Sequence, residues 1–324
     1  MADDGILHML VLDGDGGAHV PGLSEISSLL KSHDLAWIHL DAKHPKSREW
    51  LESEIRYLDD LIVDALLADE TRPRMLEHEN GILLILRGMN FAKDADPEDM
   101  VSLRLWIDPH RIISMQRRHV TAVEEIAKRL KDKQGPASAG DFLSLLTQLL
   151  FERMEPVLSE LDEKTDDVEE RILESPEAEE RQEIIELRKE AIIYKRYLLP
   201  QRDVLSSLRN STLSWIDPLN KREMQETLDR VVRYIEDLDE LRERAQIIKD
   251  ELANALSDRM NRNMYVLSVI AAIFLPLGFL TGLLGINVGG IPGADSPDAF
   301  WVFVVMLAAL VAAQVMLFKK MKWF

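Results

Sequence analysis

Two long stretches without a charged residue lie near the C-terminus and limit how this chain can fold. Met264–Leu284 has 21 residues and Ala299–Phe318 has 20. About 20 apolar residues in a helix cross the ~30 Å hydrocarbon core of a bilayer. Buried core helices are the alternative, but soluble helices of this length normally carry a polar stripe. The pattern predicts two transmembrane helices, here called the first and second spans, joined by a link at residues 285–298.

The distribution of basic residues predicts how these spans are oriented. Arg259 and Arg262 precede the first span, the segment 319–324 contains three lysines, and the link contains no Lys or Arg. The positive-inside rule therefore places both termini in the cytoplasm and the link outside. The N-terminal residues lack the basic start and long apolar core of a signal peptide. We expect the spans themselves to direct the chain to the membrane.

The rest of the chain is strongly acidic. The net charge is −18, and because the last 61 residues carry +1, residues 1–263 carry −19. Such a surface disfavours the phosphate backbone of nucleic acids, so no nucleic-acid partner is expected. The absence of cysteine excludes disulfides and thiolate metal sites. The sequence contains no phosphate-binding glycine loop, nucleophile elbow or HExxH motif, so we expect no enzyme.

The sequence of residues 1–118 is typical of a mixed α and β domain. We therefore predict an α+β cytoplasmic body. Short apolar runs punctuated by Gly, Asp and Pro predict strands at Ile6–Asp13, Ala36–Leu40, Ile82–Phe91, Ser102–Ile107 and Arg111–Gln116. Ser47–Tyr57 and Leu61–Asp69 are predicted to be helical. Residues 119–216 form a helical region, with one helix at Phe142–Leu173, where Pro156 would introduce a kink, and another at Pro176–Leu208.

A very long helix is predicted over residues 217–284. Asp217 and Pro218 form a good helix start, and neither Gly nor Pro occurs between Leu219 and Leu275. A continuous helix here would be roughly 100 Å long. It could not bury its face within one domain, which predicts a bundle or an oligomer.

Steps of seven residues along this helix give positions that share one face. They are Asp229, Glu236, Glu243, Asp250, Ser257, Met264, Ala271, Gly278 and Gly285. The acidic residues of this face could instead form a solvated stripe. The glycines could instead serve helix packing in a dimer. Pro276 leaves the carbonyl of Ala272 without its usual partner and allows a bend. Because two spans cannot enclose a water-filled path, the chain is either an oligomeric channel or transporter or a membrane-anchored coiled-coil scaffold without flux.

The first span and the residues after it resemble the CorA superfamily of two-span metal-ion transporters. Asn263–Asn287 contains FLPLGFLTG at Phe274–Gly282 and ends in Gly285-Ile286-Asn287, which is similar to the Gly-x-Asn signature of that family. Leu284, Ile286 and the loop Asn287–Gly293 look more like the zinc-transporting ZntB branch than the magnesium branch. The stretches Glu70–Arg74 and Tyr197–Asp203 also resemble the ZntB branch.

This resemblance implies a funnel-shaped homopentamer in a bacterial-type inner membrane, with the long helix lining the pore. It also implies Zn²⁺ uptake, proposed to be proton-coupled, with passage of similar ions such as Co²⁺ or Ni²⁺ and no organic cofactor. A Mg²⁺/Co²⁺ channel of the CorA type remains the alternative within the family.

The resemblance also indicates site residues. The pore and selectivity residues fall at Gly285, Ile286, Asn287, Thr281, Gly278, Leu275 and Ala271, and the cytoplasmic gate falls at Met264, Leu267 and Asp250. Zn²⁺ prefers His, Cys and carboxylate ligands, and neither span contains one. We therefore expect a largely hydrated ion, met by Asn287 at the outer mouth and Asp250 at the cytoplasmic end. His39 with Asp41 could bind regulatory zinc, although structural roles are favoured.

Overall fold

The computed structural model describes residues 5–22, 34–54, 58–69, 71–93, 95–286, 291, 293 and 295–321. The chain forms two compact units, Met1–Asp250 and Glu251–Phe324. The first unit contains a mixed sheet and most of the helices, as the sequence predicts for an α+β body.

A seven-stranded sheet organises the first unit, in the order β2-β1-β3-β7-β6-β5-β4. Its strands are β1 Ile6–Leu12, β2 Ala18–His19, β3 Ala36–Asp41, β4 Arg74–His78, β5 Gly81–Gly88, β6 Val101–Ile107 and β7 Arg111–Gln116. The pair β3–β7 is parallel, and the other neighbouring pairs are antiparallel. The central strands are buried on both faces, which explains their nearly continuous apolar sequence. The five predicted strands correspond to β1, β3, β5, β6 and β7.

Helices cover both faces of this sheet. On one face, α1 (Pro45–Glu54) and α2 (Asp60–Leu67) contribute Leu51, Ile62 and Leu66 to a buried cluster with strand residues. On the other face, Trp37 of β3 packs edge-on against Phe142 with ring centroids 4.9 Å apart. This second contact fixes the helical region of the first unit against the sheet.

The predicted helix at Phe142–Leu173 is wrong as a single element. After α3 (Thr121–Lys131), the chain forms α4 (Ala139–Glu152) and a separate α5 (Glu155–Glu174). Pro156 therefore lies in the first turn of α5, where its missing N–H leaves no intrahelical hydrogen bond unmade. The next helix, α6 (Glu180–Asn210), begins four residues later than predicted.

The predicted long helix is confirmed as α7, Pro218–Leu284, with 67 residues. Asp217 and Asn220 close its first turn reciprocally: Asn220 N–H donates to Asp217 Oδ1 at 2.8 Å, and Asp217 N–H donates to Asn220 Oδ1 at 3.2 Å. Within the first unit, Arg244 of α7 forms ion pairs with Asp162 and Glu169 of α5. The last helix, α8, covers Ala299–Lys320.

Candidate functional site

The predicted pathway residues lie along α7 and immediately after it. Six of them, Met264, Leu267, Ala271, Leu275, Gly278 and Thr281, belong to the second unit and to α7. At 100° per residue they occupy a face about 120° wide. Gly285 and Ile286 follow the last helical residue, and Asn287 lies outside the described residues. One face of one helix cannot by itself enclose a path.

Both spans are almost completely uncovered in the single chain. Helices α7 and α8 each contain a segment long and apolar enough to cross a membrane, with 6% and 0% of those segments buried. On the predicted face, Met264, Leu267 and Leu275 are 54%, 68% and 74% exposed. Apolar surface of this extent must be covered by lipid or by other chains.

The glycines on this face differ in whether the surrounding chain requires a residue without a side chain. A Cβ atom at Gly278 or Gly282 would meet no heavy atom within 4 Å, so no contact within the described chain requires glycine there. A Cβ atom at Gly285 would lie 2.7 Å from the carbonyl oxygen of Thr281, which also accepts the Gly285 N–H at 2.9 Å. The end of the helix thus explains Gly285 without reference to ion passage.

The hydroxyl groups of Ser268 and Thr281 in the first span bond to their own helix. Thr281 Oγ1 donates to the carbonyl oxygens of Leu277 and Gly278 at 2.9 and 3.1 Å, and Ser268 Oγ donates to the Met264 carbonyl at 2.8 Å. Because each hydroxyl has one hydrogen, only its oxygen lone pairs remain to meet other groups. Such a surface suits the water molecules around a cation, which donate hydrogen bonds outward.

The carbonyl freed by Pro276 does have a partner. Gln314 of α8 donates from Nε2 to the Ala272 carbonyl oxygen at 3.2 Å. Sequence reasoning identified the free carbonyl but not the residue that meets it. The available signal was that Gln314 is the one amide side chain in the second span.

Asp250, at the end of the first unit, is an exposed carboxylate that accepts hydrogen bonds from Gln246. Gln246, one turn earlier, donates from Nε2 to both carboxylate oxygens at 2.9 and 3.0 Å. Within the described ranges, no group of three or more His, Cys, Asp or Glu side chains is placed to hold a metal ion. A cation site at Asp250 would therefore need carboxylates from further copies of the chain.

His39 is built into the core of the sheet. Its ring is fully buried, and Nδ1 forms a 2.7 Å hydrogen bond with Ser114 Oγ, which also accepts the Trp37 indole N–H at 2.8 Å. Burial lowers the pKa of His39 to about 3, so the ring is neutral at physiological pH. The structural role favoured from the sequence fits this environment.

Comparison with known proteins finds relatives that match nearly the whole chain. The family model described as CorA-like Mg²⁺ transporter protein matches residues 32–320. The zinc transport protein ZntB of Pectobacterium carotovorum is 37% identical over 98% of this chain and 96% of its own length. The divalent cation transporter CmaX of Pseudomonas aeruginosa is 36% identical over 98% and 97%, respectively. A solved full-length CmaX structure superimposes with a TM-score of 0.86 at 35% identity, covering 99% of this chain and 98% of that one. The chain belongs to the CorA-like transporter family.

Proposed function

We propose that this protein is a transmembrane zinc transporter that mediates Zn²⁺ uptake through a pore formed by α7 from several copies. The observation that carries the proposal is the 37% identity to a zinc transport protein over 98% of the chain, both spans included. The exposed face of α7 supports it, because a face that the described residues leave largely uncovered is available to line a shared path.

The ion crosses as a hydrated cation in this proposal. The first span offers the oxygens of Thr281 and backbone carbonyls but no strong zinc ligand. Asn287, with one amide oxygen and two N–H groups, meets the hydration shell at the outer mouth without trapping the ion. Selection against Co²⁺ or Ni²⁺ is expected to be modest, because the protein contacts the waters and not the metal.

The cytoplasmic end contains the gate. Met264 and Leu267 form apolar rings that close by excluding water, and Asp250 forms a carboxylate ring below them. A homopentamer, as in the family resemblance, would bring about −95 of formal charge to the cytoplasmic side. This negative charge concentrates divalent cations near the protein. At physiological salt, screening limits its reach to ~8 Å.

The proposed organisation places residues 1–118 and 119–216 in the cytoplasm, with the helix of residues 217–284 leading into the inner membrane. The link at 285–298 is outside, and 299–318 returns to a basic cytoplasmic end at 319–324. Asn287 and Gly285 then face the outer solution. No organic cofactor takes part.

A Mg²⁺/Co²⁺ channel is the second candidate function. The matched family is described as Mg²⁺ transporters, and the relative CmaX is named for divalent cations in general.

Proton coupling also needs a direct test, because coupled carriers usually keep an ionisable residue within the membrane and neither span contains one.

Ion uptake into liposomes that contain the purified protein and an internal metal-sensitive dye tests these proposals. Zn²⁺ flux should fall in Asn287→Ala and stay unchanged in Asn210→Ala, an exposed asparagine of α6 that serves as the matched control. Flux that rises with an imposed proton gradient supports coupling. Preference for Mg²⁺ favours the channel, and no flux of Zn²⁺, Co²⁺ or Mg²⁺ from folded oligomer favours the scaffold.

A further inference from the structure

The hydrogen bond from Gln314 to Ala272 joins the two spans at the proline of the first. Pro276 has no N–H for the carbonyl four residues earlier, and Gln314 Nε2 reaches that oxygen at 3.2 Å. All three residues belong to the second unit. The second span therefore replaces the hydrogen bond that the first span lacks.

The surroundings leave this carbonyl few other partners. In hydrocarbon no water is present to satisfy a free backbone group, and proline is tolerated where a neighbouring helix does so. The hydroxyls of Ser268 and Thr281 are engaged with their own turns. Gln314 Oε1 is buried and finds no partner within the described part of the chain, so the amide is held through its donor end. Because only the donor end of the Gln314 amide is bonded, this one hydrogen bond can break and re-form.

We propose that Gln314 is a positioning residue that sets the bend of the first span at Pro276. Ala271 and Leu275 of the proposed pathway face directly precede Ala272 and Pro276, so a change of angle at this bond would move that face. The inference rests on the proposed transport function. Hydrogen bonds between membrane helices are modest in strength, and losing one shifts a conformational equilibrium by about threefold. A bond of this strength would bias the angle of the first span at Pro276 without locking it.

A double-mutant cycle isolates this bond. In Gln314→Leu the carbonyl loses its partner, and the maximal Zn²⁺ flux in liposomes should change by about threefold at an unchanged half-saturating concentration. In Pro276→Ala the restored N–H occupies the Ala272 carbonyl, so adding Gln314→Leu should have little further effect. Val315→Leu, at an exposed neighbouring position, is the control for altered volume. Equal effects of Gln314→Leu in both backgrounds, or none in the native one, would overturn the proposal.

A second variant separates donation from packing. In Gln314→Glu a protonated carboxyl can donate to the carbonyl, whereas a carboxylate cannot. The flux of this variant relative to native should therefore be native-like at low pH and resemble that of Gln314→Leu at high pH. A pH-independent ratio contradicts the proposed donor role.

The two proposals fail in different ways. No flux from the folded native protein rejects transport. The same cycle, measured in the melting temperature of the purified oligomer, still tests the bond: coupling between positions 276 and 314 supports it, and additivity rejects it.

Discussion

Acid should destabilise this protein through His39. The ring is buried at the centre of the sheet, with Trp37 and Ser114 on its own face and His8 stacked 6.0 Å away. Burial is the largest cause of its low pKa, and the nearby charges of His8 and His119 lower it further. Protonating His39 in place would put a charge into this core.

The magnitude follows from the two pKa values. The ordinary pKa of 6.5 applies to the unfolded chain, and the folded value is about 3. Below pH 6.5 the unfolded state binds the proton and the folded state does not, so unfolding becomes easier as the pH falls towards 3. Each pH unit costs about 1.4 kcal/mol, which amounts to about 2 kcal/mol at pH 5. Above pH 6.5 this contribution is complete and constant.

Thermal unfolding of the full-length protein in detergent, from pH 7.5 to pH 4.5, measures this effect. His39→Leu removes the titrating group and one hydrogen bond, so it should be less stable at pH 7.5 but lose less stability on acidification than the native chain. His19→Gln, at an exposed position, should keep the native pH dependence. If His39→Leu and the native chain lose stability in parallel between pH 6.5 and pH 5, the reasoning is wrong.

Two glycines among the predicted pathway residues, Gly278 and Gly285, should respond differently to alanine. At Gly278, where an added Cβ meets nothing in the described chain, Gly278→Ala should gain about 1 kcal/mol of helix stability, yet reduce Zn²⁺ flux if this face lines the pathway. Native flux with a higher melting temperature would place Gly278 against lipid. Gly285→Ala should lower both melting temperature and flux, at a cost of roughly 1–3 kcal/mol, because its Cβ would overlap the Thr281 carbonyl. An unchanged melting temperature would contradict that explanation.

Much of the fold could be predicted because its signals are local and strong. The central strands are apolar enough to be recognised singly, and the long helix is defined by a proline start and 57 residues without Gly or Pro. The division of Phe142–Leu173 was missed because Pro156 is compatible with both a kink and a first helical turn. The two-residue strand β2 carries too short a pattern to be recognised.

For the pathway face, the sequence could predict only which residues share one side of the helix. Periodicity places Met264, Ala271 and Gly278 on one side, but it does not show what lies opposite. Contacts between elements distant in sequence, such as Gln314 with Ala272, depend on how the two spans pack, and a lone glutamine in an apolar span does not reveal its partner. Asn287, which carries the selectivity proposal, lies outside the described residues, so its role stays a prediction.

The charge distribution argues that membrane potential can drive uptake in this protein. Moving one elementary charge across 100 mV is worth about 2.3 kcal/mol, so a divalent cation gains roughly 5 kcal/mol on moving to a negative interior. Neither span carries an Asp, Glu, Lys, Arg or His whose charge would oppose this movement, and the net charge of −19 on residues 1–263 attracts the ion. An inside-negative potassium diffusion potential at equal pH should therefore accelerate Zn²⁺ entry into liposomes, and reversing its sign should slow it. Uptake that follows a pH gradient but ignores the potential would show that zinc charge is compensated by counter-movement of protons, which contradicts uncoupled hydrated passage.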